Sequence, residues 1–78
     1  MREKQLRLIV TFSTATAAIA MERYCIENGI PGRLIPTPRQ ITADCGLAWS
    51  AQPEAEEAVL RASAADSVAI AATYQLLI

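Results

Sequence analysis

The sequence predicts an α+β fold, a ferredoxin-like βαββαβ sandwich with a four-stranded antiparallel sheet and two helices on one face. Three observations predict it. Four short segments rich in Val, Ile, Leu and aromatic residues read as strands. Two Ala-rich segments carry apolar residues at the helical period and begin at helix-start signals. Their order is β-α-β-β-α-β, the split βαβ arrangement. At 78 residues the chain is one domain, residues 1–78.

The first strand is Leu6 to Phe12, LRLIVTF. Leu6, Leu8, Val10 and Phe12 share one face, and Ile9 on the other face marks an interior strand. Ser13 or Thr14 then caps a helix that runs to about Asn28. Ala17, Ala18, Met21, Tyr24, Cys25 and Asn28 fall on one side of it, while Glu22, Arg23 and Glu27 fall elsewhere. Gly29 suits the left-handed residue that ends a helix, and Pro31 prevents continuation. Gly32 to Pro36 reads as a short strand, and Pro36 and Pro38 place it at a sheet edge. Gly46 to Ser50 is the third strand. Pro53 opens the second helix, with Glu54, Glu56 and Glu57 at its positive end and Ala55, Ala58, Val59 and Ala62 as its buried stripe. That helix fades near Ala65 and Asp66. The segment SVAIAATYQLLI supplies the last strand, with Val68, Ile70, Ala72 and Tyr74 alternating.

Composition excludes several function classes. A domain this small buries only about 60% of the surface its unfolded chain exposes, so a site belongs on the surface, at an edge, or at a junction with a partner. Seven basic and eight acidic residues give a net charge of −1 without a basic stripe. That argues against nucleic acid and against a polybasic membrane contact. No apolar run approaches the roughly 20 residues that span a bilayer. The N-terminal MREKQLRLIVTF reads as a strand rather than a signal peptide, which implies a cytoplasmic protein. The chain has no histidine, so Cys-His and Ser-His catalysis are excluded. Its two cysteines, Cys25 and Cys45, supply too few soft ligands for a structural zinc site, and no cofactor or metal is expected.

The connection IPTPRQITADCGLAW, Ile35 to Trp49, carries a cation, several hydroxyls and a thiol, where a plain hairpin needs only turn residues. In the expected topology the start of the third strand lies near the end of the first. Cys45 is therefore expected beside Phe12, Ser13 and Thr14, with Thr37 and Arg39 in the same neighbourhood. A helix N-terminus and an arginine both favour thiolate, whereas Asp44 opposes it if its carboxylate faces the sulfur. Gly46 allows close approach of a backbone or substrate. Other residues have plainer readings. Cys25, beside Met21 on the apolar helix face, is a core residue, and Met21 is core filler. Thr37, Pro38 and Arg39 also read as a rigid turn with a solvated charge. Trp49 is a sheet residue, Tyr24 and Tyr74 pack, and the three glutamates belong to a helix start. A disulfide between Cys25 and Cys45 is disfavoured in a reducing cytosol.

The stretch LIVTFSTATAAIAMERYCIENGIPGRLIPTPRQITADCGLAW resembles the selenium/sulfur (Se/S) carrier protein-like family of small domains. Thr11 and Phe12, Gly29 to Pro31, Arg33 to Arg39, and Cys45 with Gly46 stand at the places of that pattern, over roughly residues 6 to 50. The resemblance implies that Cys45 carries sulfur or selenium as a persulfide or selenopersulfide. It also implies a donor such as a cysteine desulfurase, and an acceptor protein. Such a carrier is not a turnover enzyme. Exchange of this kind depends on thiolate fraction, nucleophilicity and access. A second reading, from fold rather than thiol, is a regulatory or interaction module. It would form a homodimer, or bind a partner protein, through an apolar outward sheet face that includes Ile9, Ala69 and Ala71. Cys45→Ser would abolish the first function and leave the second intact.

Overall fold

A computed structural model describes residues 5–41, 46–65 and 68–77. Its elements are β1 (Leu6–Phe12), α1 (Ala15–Glu27), β2 (Arg33–Pro36), β3 (Leu47–Ala51), a 3-10 turn (Pro53–Ala55), α2 (Glu56–Ala65) and β4 (Ile70–Leu77). The four strands form one antiparallel sheet in the order β2-β3-β1-β4. This is the expected α+β architecture with a ferredoxin-like strand order. β2 lies at an edge, as its prolines require. Among the described residues no helix is long and apolar enough to cross a membrane.

The termini of α1 follow from local chemistry. Thr14 is extended, and its hydroxyl oxygen accepts the Ala17 N–H at 3.2 Å. At the other end Gly29 takes φ +67°, open to glycine without steric penalty. The Ile30 N–H reaches the Cys25 carbonyl at 2.8 Å and the Gly29 N–H the Ile26 carbonyl at 3.4 Å, the paired bonds of a Schellman stop. Asn28 adds a side-chain bond to the Tyr24 carbonyl at 2.8 Å. At Gly32 the chain enters β2 against the third strand. A Cβ there would lie 2.7 Å from the Ser50 carbonyl oxygen and from the Trp49 ring, so only glycine lets β2 and Trp49 approach this closely.

The face of the sheet under the helices holds the main core. Leu8, Val10 and Phe12 of β1 meet Trp49 and Ala51 of β3, roofed by Ala17, Ala18, Met21 and Cys25 of α1 and by Val59 and Ala62 of α2. Ala55 packs against the same cluster. The Trp49 indole Nε1 is buried with no hydrogen-bond partner among the described residues. An unmet donor of this kind costs about 1–3 kcal/mol, offset here by the ring's packing.

β4 corrects the expected alternation. Thr11 pairs with Ala72, but Phe12 pairs with Ile70, so Ala71 is the extra residue of a β-bulge. The bulge flips the strand's sidedness. Val68 and Ile70 belong to the core under the helices, whereas Ala72 and Tyr74 stand with Thr11 and Ile9 on the opposite face. That opposite face also differs from expectation. Ala69 precedes β4 and Ala71 is the bulge residue, so neither takes a regular place on it. Ile9 is fully buried there, in a second cluster with Ala48 and Ile41, flanked by Ile35 and Leu76. Ile41 comes from the β2–β3 connection, so the chain covers part of this face itself.

Candidate functional site

The β2–β3 connection starts from a fixed neck. Pro36 pairs with Leu47, the last step of the ladder. One residue on, the Thr37 N–H donates to the Gly46 carbonyl at 3.0 Å. Two of the expected site residues are thereby joined, Thr37 half-buried and Gly46 exposed. The chain then turns at once. The Ile41 N–H donates to the Pro38 carbonyl at 3.0 Å, with Arg39 and Gln40 exposed at the corner. Pro38 supplies the carbonyl that closes this turn, with Arg39 and Gln40 as its central residues. The bonds preceding Pro36 and Pro38 are trans. Ile41, only 8% exposed, seats on Ile9 and Ala48 and fixes the connection over the face opposite the helices.

The expected site residues distribute as follows. Thr37 and Gly46 form the neck, and Arg39 is exposed two residues beyond it. Cys45, with its neighbour Asp44, lies outside the described residues. Among the described residues nothing lies within 4 Å of a Cβ placed at Gly46. The pairing of Thr11 with Ala48 sets the start of β3 beside the end of β1, so the neck and the α1 N-terminus share one end of the sheet. They diverge from there. α1 covers the core face, and Ile41 draws the connection over the other. One N–H of the α1 terminus is already occupied by the Thr14 hydroxyl.

Cys25 is closed to chemistry. It is fully buried, its Sγ lies 3.7 Å from the Met21 Sδ, and burial pushes its thiol from 9.0 up to about 11. A thiol that stays protonated and shielded from solvent is a packing residue.

Sequence reasoning missed how charge is distributed. Arg7 Nε donates to Ser50 Oγ at 3.2 Å, and Arg33 is the cross-strand partner of Ser50. Both arginines therefore stand on the face over which Ile41 folds. The carboxylates of the described residues are all elsewhere: Glu22 and Glu27 on α1, Glu54 in the 3-10 turn, Glu56 and Glu57 on α2. A net charge of −1 conceals this segregation. The signal was available, because Arg7 lies two residues before Ile9 in a strand and so shares its face. A shallow groove of about 320 Å³, lined by Thr16, Ile19, Arg23, Tyr24 and Val68 among others, lies along α1.

Fold and site together define a small α+β sandwich in which a polar, thiol-bearing connection is anchored over the face that the helices leave free. Within that class, the chain belongs to the family described as putative Se/S carrier protein-like, whose model matches residues 7–75. The match runs from within β1 to within β4 and takes in both helices, well past the stretch of motif that the sequence shares with the family. No curated protein and no solved structure matches the chain.

Proposed function

We propose that this protein carries sulfur or selenium on Cys45, as a persulfide or selenopersulfide, between a donor protein and an acceptor. Membership of the carrier-like family supports chalcogen transport. The observation that carries the assignment to Cys45 is elimination: the chain has two cysteines, and Cys25 is fully buried with its thiol pushed up to about 11. The step conserves atoms and electrons. The Cys45 thiolate attacks the terminal sulfur of a donor persulfide, R–S–SH. A Cys45–sulfur bond forms, the donor S–S bond breaks, and the donor leaves as the thiolate R–S⁻. The proton stays on the transferred sulfur, and selenium follows the same path. Attack requires thiolate, and the exposed Arg39 in the same connection is the cation that favours it. Thr37 and Gly46 hold the base of the connection, joined by the Thr37 N–H to the Gly46 carbonyl at 3.0 Å. Unloading is the same exchange, with an acceptor thiolate attacking the carried atom. The partners are a donor such as a cysteine desulfurase and a thiol-bearing acceptor.

The test is loading by a cysteine desulfurase supplied with isotopically labelled cysteine, read by peptide mass spectrometry. One labelled sulfur atom is expected on Cys45, retained in Cys25→Ala and absent from Cys45→Ser. Equal loading of Cys45→Ser, or no loading by the desulfurase or by a small-molecule persulfide, would overturn the proposal.

A further inference from the structure

The two edges of the sheet are built in opposite ways. β2 is four residues long, ends at Pro36, and is flanked by Pro31 and Pro38, with Arg33 exposed on it. Short length, proline and charge are the means by which proteins keep an edge from pairing with another chain. β4 has none of these. It is eight residues, IAATYQLL, without proline, glycine or charge. Its bulge falls at Ala71, so the strand from Ala72 to Leu77 keeps a regular ladder with β1. Among the described residues no strand pairs with its outer edge. Exposed apolar side chains collect beside that edge: Tyr74 and Leu77 on β4, and Leu6, the cross-strand partner of Leu77.

We propose that β4 pairs antiparallel with β4 of a second copy of this chain, joining two four-stranded sheets into one continuous sheet. The strand is complementary to itself. In a two-fold antiparallel pair, each residue meets one that points to the same face, so the axis must pass between a residue and its own copy. An axis at Tyr74 sets Tyr74 opposite itself. It sets Ala72 opposite Leu76 of the second copy, small against large. Thr73 then meets Gln75 of the second copy, polar against polar. No charge meets its like, and the backbone N–H and C=O groups along the open edge gain partners. The neck of the β2–β3 connection, at Pro36 and Leu47, lies across β1 from β4. The inference does not depend on the carrier reading.

Sedimentation velocity of the full chain over a range of concentrations is expected to show a dimer. Tyr74→Lys puts like charges at the axis and is expected to weaken the dimer by about tenfold or more, with an unchanged circular dichroism spectrum. Position is tested separately in a Cys25→Ala, Cys45→Ser background. Tyr74→Cys is expected to form a disulfide-linked dimer with oxidised glutathione, and Leu76→Cys is not, because Leu76 faces Ala72. A monomer at all concentrations, a dimer unaffected by Tyr74→Lys, or crosslinking at Leu76→Cys in preference to Tyr74→Cys would overturn it.

Discussion

The two faces of the sheet are closed by different means and on different scales. Under the helices, twelve of the described residues from strands, both helices and Val68 are buried together, including Phe12, Met21 and Trp49. On the other face the apolar cluster has three buried residues, one of which, Ile41, is delivered by a loop, beside the buried hydroxyl residues Thr11 and Ser50. The helix side therefore supplies most of the apolar burial that holds a domain of this size together. The loop side carries the exposed Arg39, the strand arginines Arg7 and Arg33, and the neck that leads to Cys45. The main apolar core and the described part of the β2–β3 connection thus lie on opposite sides of one sheet. Among the described residues of the connection, Ile41 is the buried apolar side chain that seats on this face.

The comparison is broken most directly at Phe12. The residue is fully buried at the end of β1, where strand, bulge and helix meet. Phe12→Ala is expected to cost about 3–5 kcal/mol, through lost transfer energy and a residual cavity. At about 0.05–0.15 kcal/mol per residue, a domain of this size is stable by roughly 4–12 kcal/mol, so this variant is expected to lose a large fraction of its stability. Urea denaturation followed by circular dichroism reads the loss. A loss below about 1 kcal/mol would show that the helix side does not dominate stability.

A smaller effect on the same side is set by pH. Folding raises the Cys25 thiol from 9.0 to about 11 because burial disfavours thiolate. The unfolded chain therefore ionises first. Stability from this group is complete below about pH 9 and is lost as pH rises through about 11, on the order of 2 kcal/mol in all. Denaturation midpoints between pH 8 and pH 11 are expected to fall in the parent protein and to fall less in Cys25→Ala. Equal slopes in the two proteins would mean that Cys25 does not carry this dependence. The same burial keeps Cys25 unreactive toward iodoacetamide in the native state, so native alkylation reports on Cys45 alone.

Much of this division is legible in the sequence, and the reasons for the rest are specific. The period-two run Leu6, Leu8, Val10, Phe12 and the helical spacing of Ala17, Ala18, Met21 and Cys25 point to the helix-side core because both periods survive folding unbroken. Prolines on both sides of Arg33–Pro36 mark an edge through a missing donor, a purely local effect. The last strand misleads because one extra residue, Ala71, reverses its sidedness, and nothing in AIAATY distinguishes bulge from ladder. The loop misleads in another way. Ile41 sits among polar residues with no period at all, and its burial depends on contacts with Ile9 and Ala48, distant in sequence. Of the candidate site, the neighbourhood of Thr37 and Gly46 follows from topology, which strand order alone predicts. The face over which Arg39's turn lies does not.

Ile41 is where the comparison can be sharpened with the least damage to the fold. Its side chain is almost wholly buried, but its cluster is small and borders solvent through Ile35 and Leu76. Those neighbours can relax into the space left by truncation, so Ile41→Ala is expected to cost about 1–2 kcal/mol, less than a main-core deletion. Its larger effect should be local. With the anchor gone, the Thr37–Gly46 bond at its neck and the Pro38–Ile41 turn still hold the described part of the connection. Cleavage by a low concentration of trypsin after Arg39 is expected to rise severalfold, with far-ultraviolet circular dichroism unchanged. If Ile41→Ala instead lowers stability as much as Phe12→Ala and leaves cleavage at Arg39 unaltered, the loop side belongs to the same cooperative core as the helix side. The connection would then be a structural strut and not a separately held, solvent-facing segment.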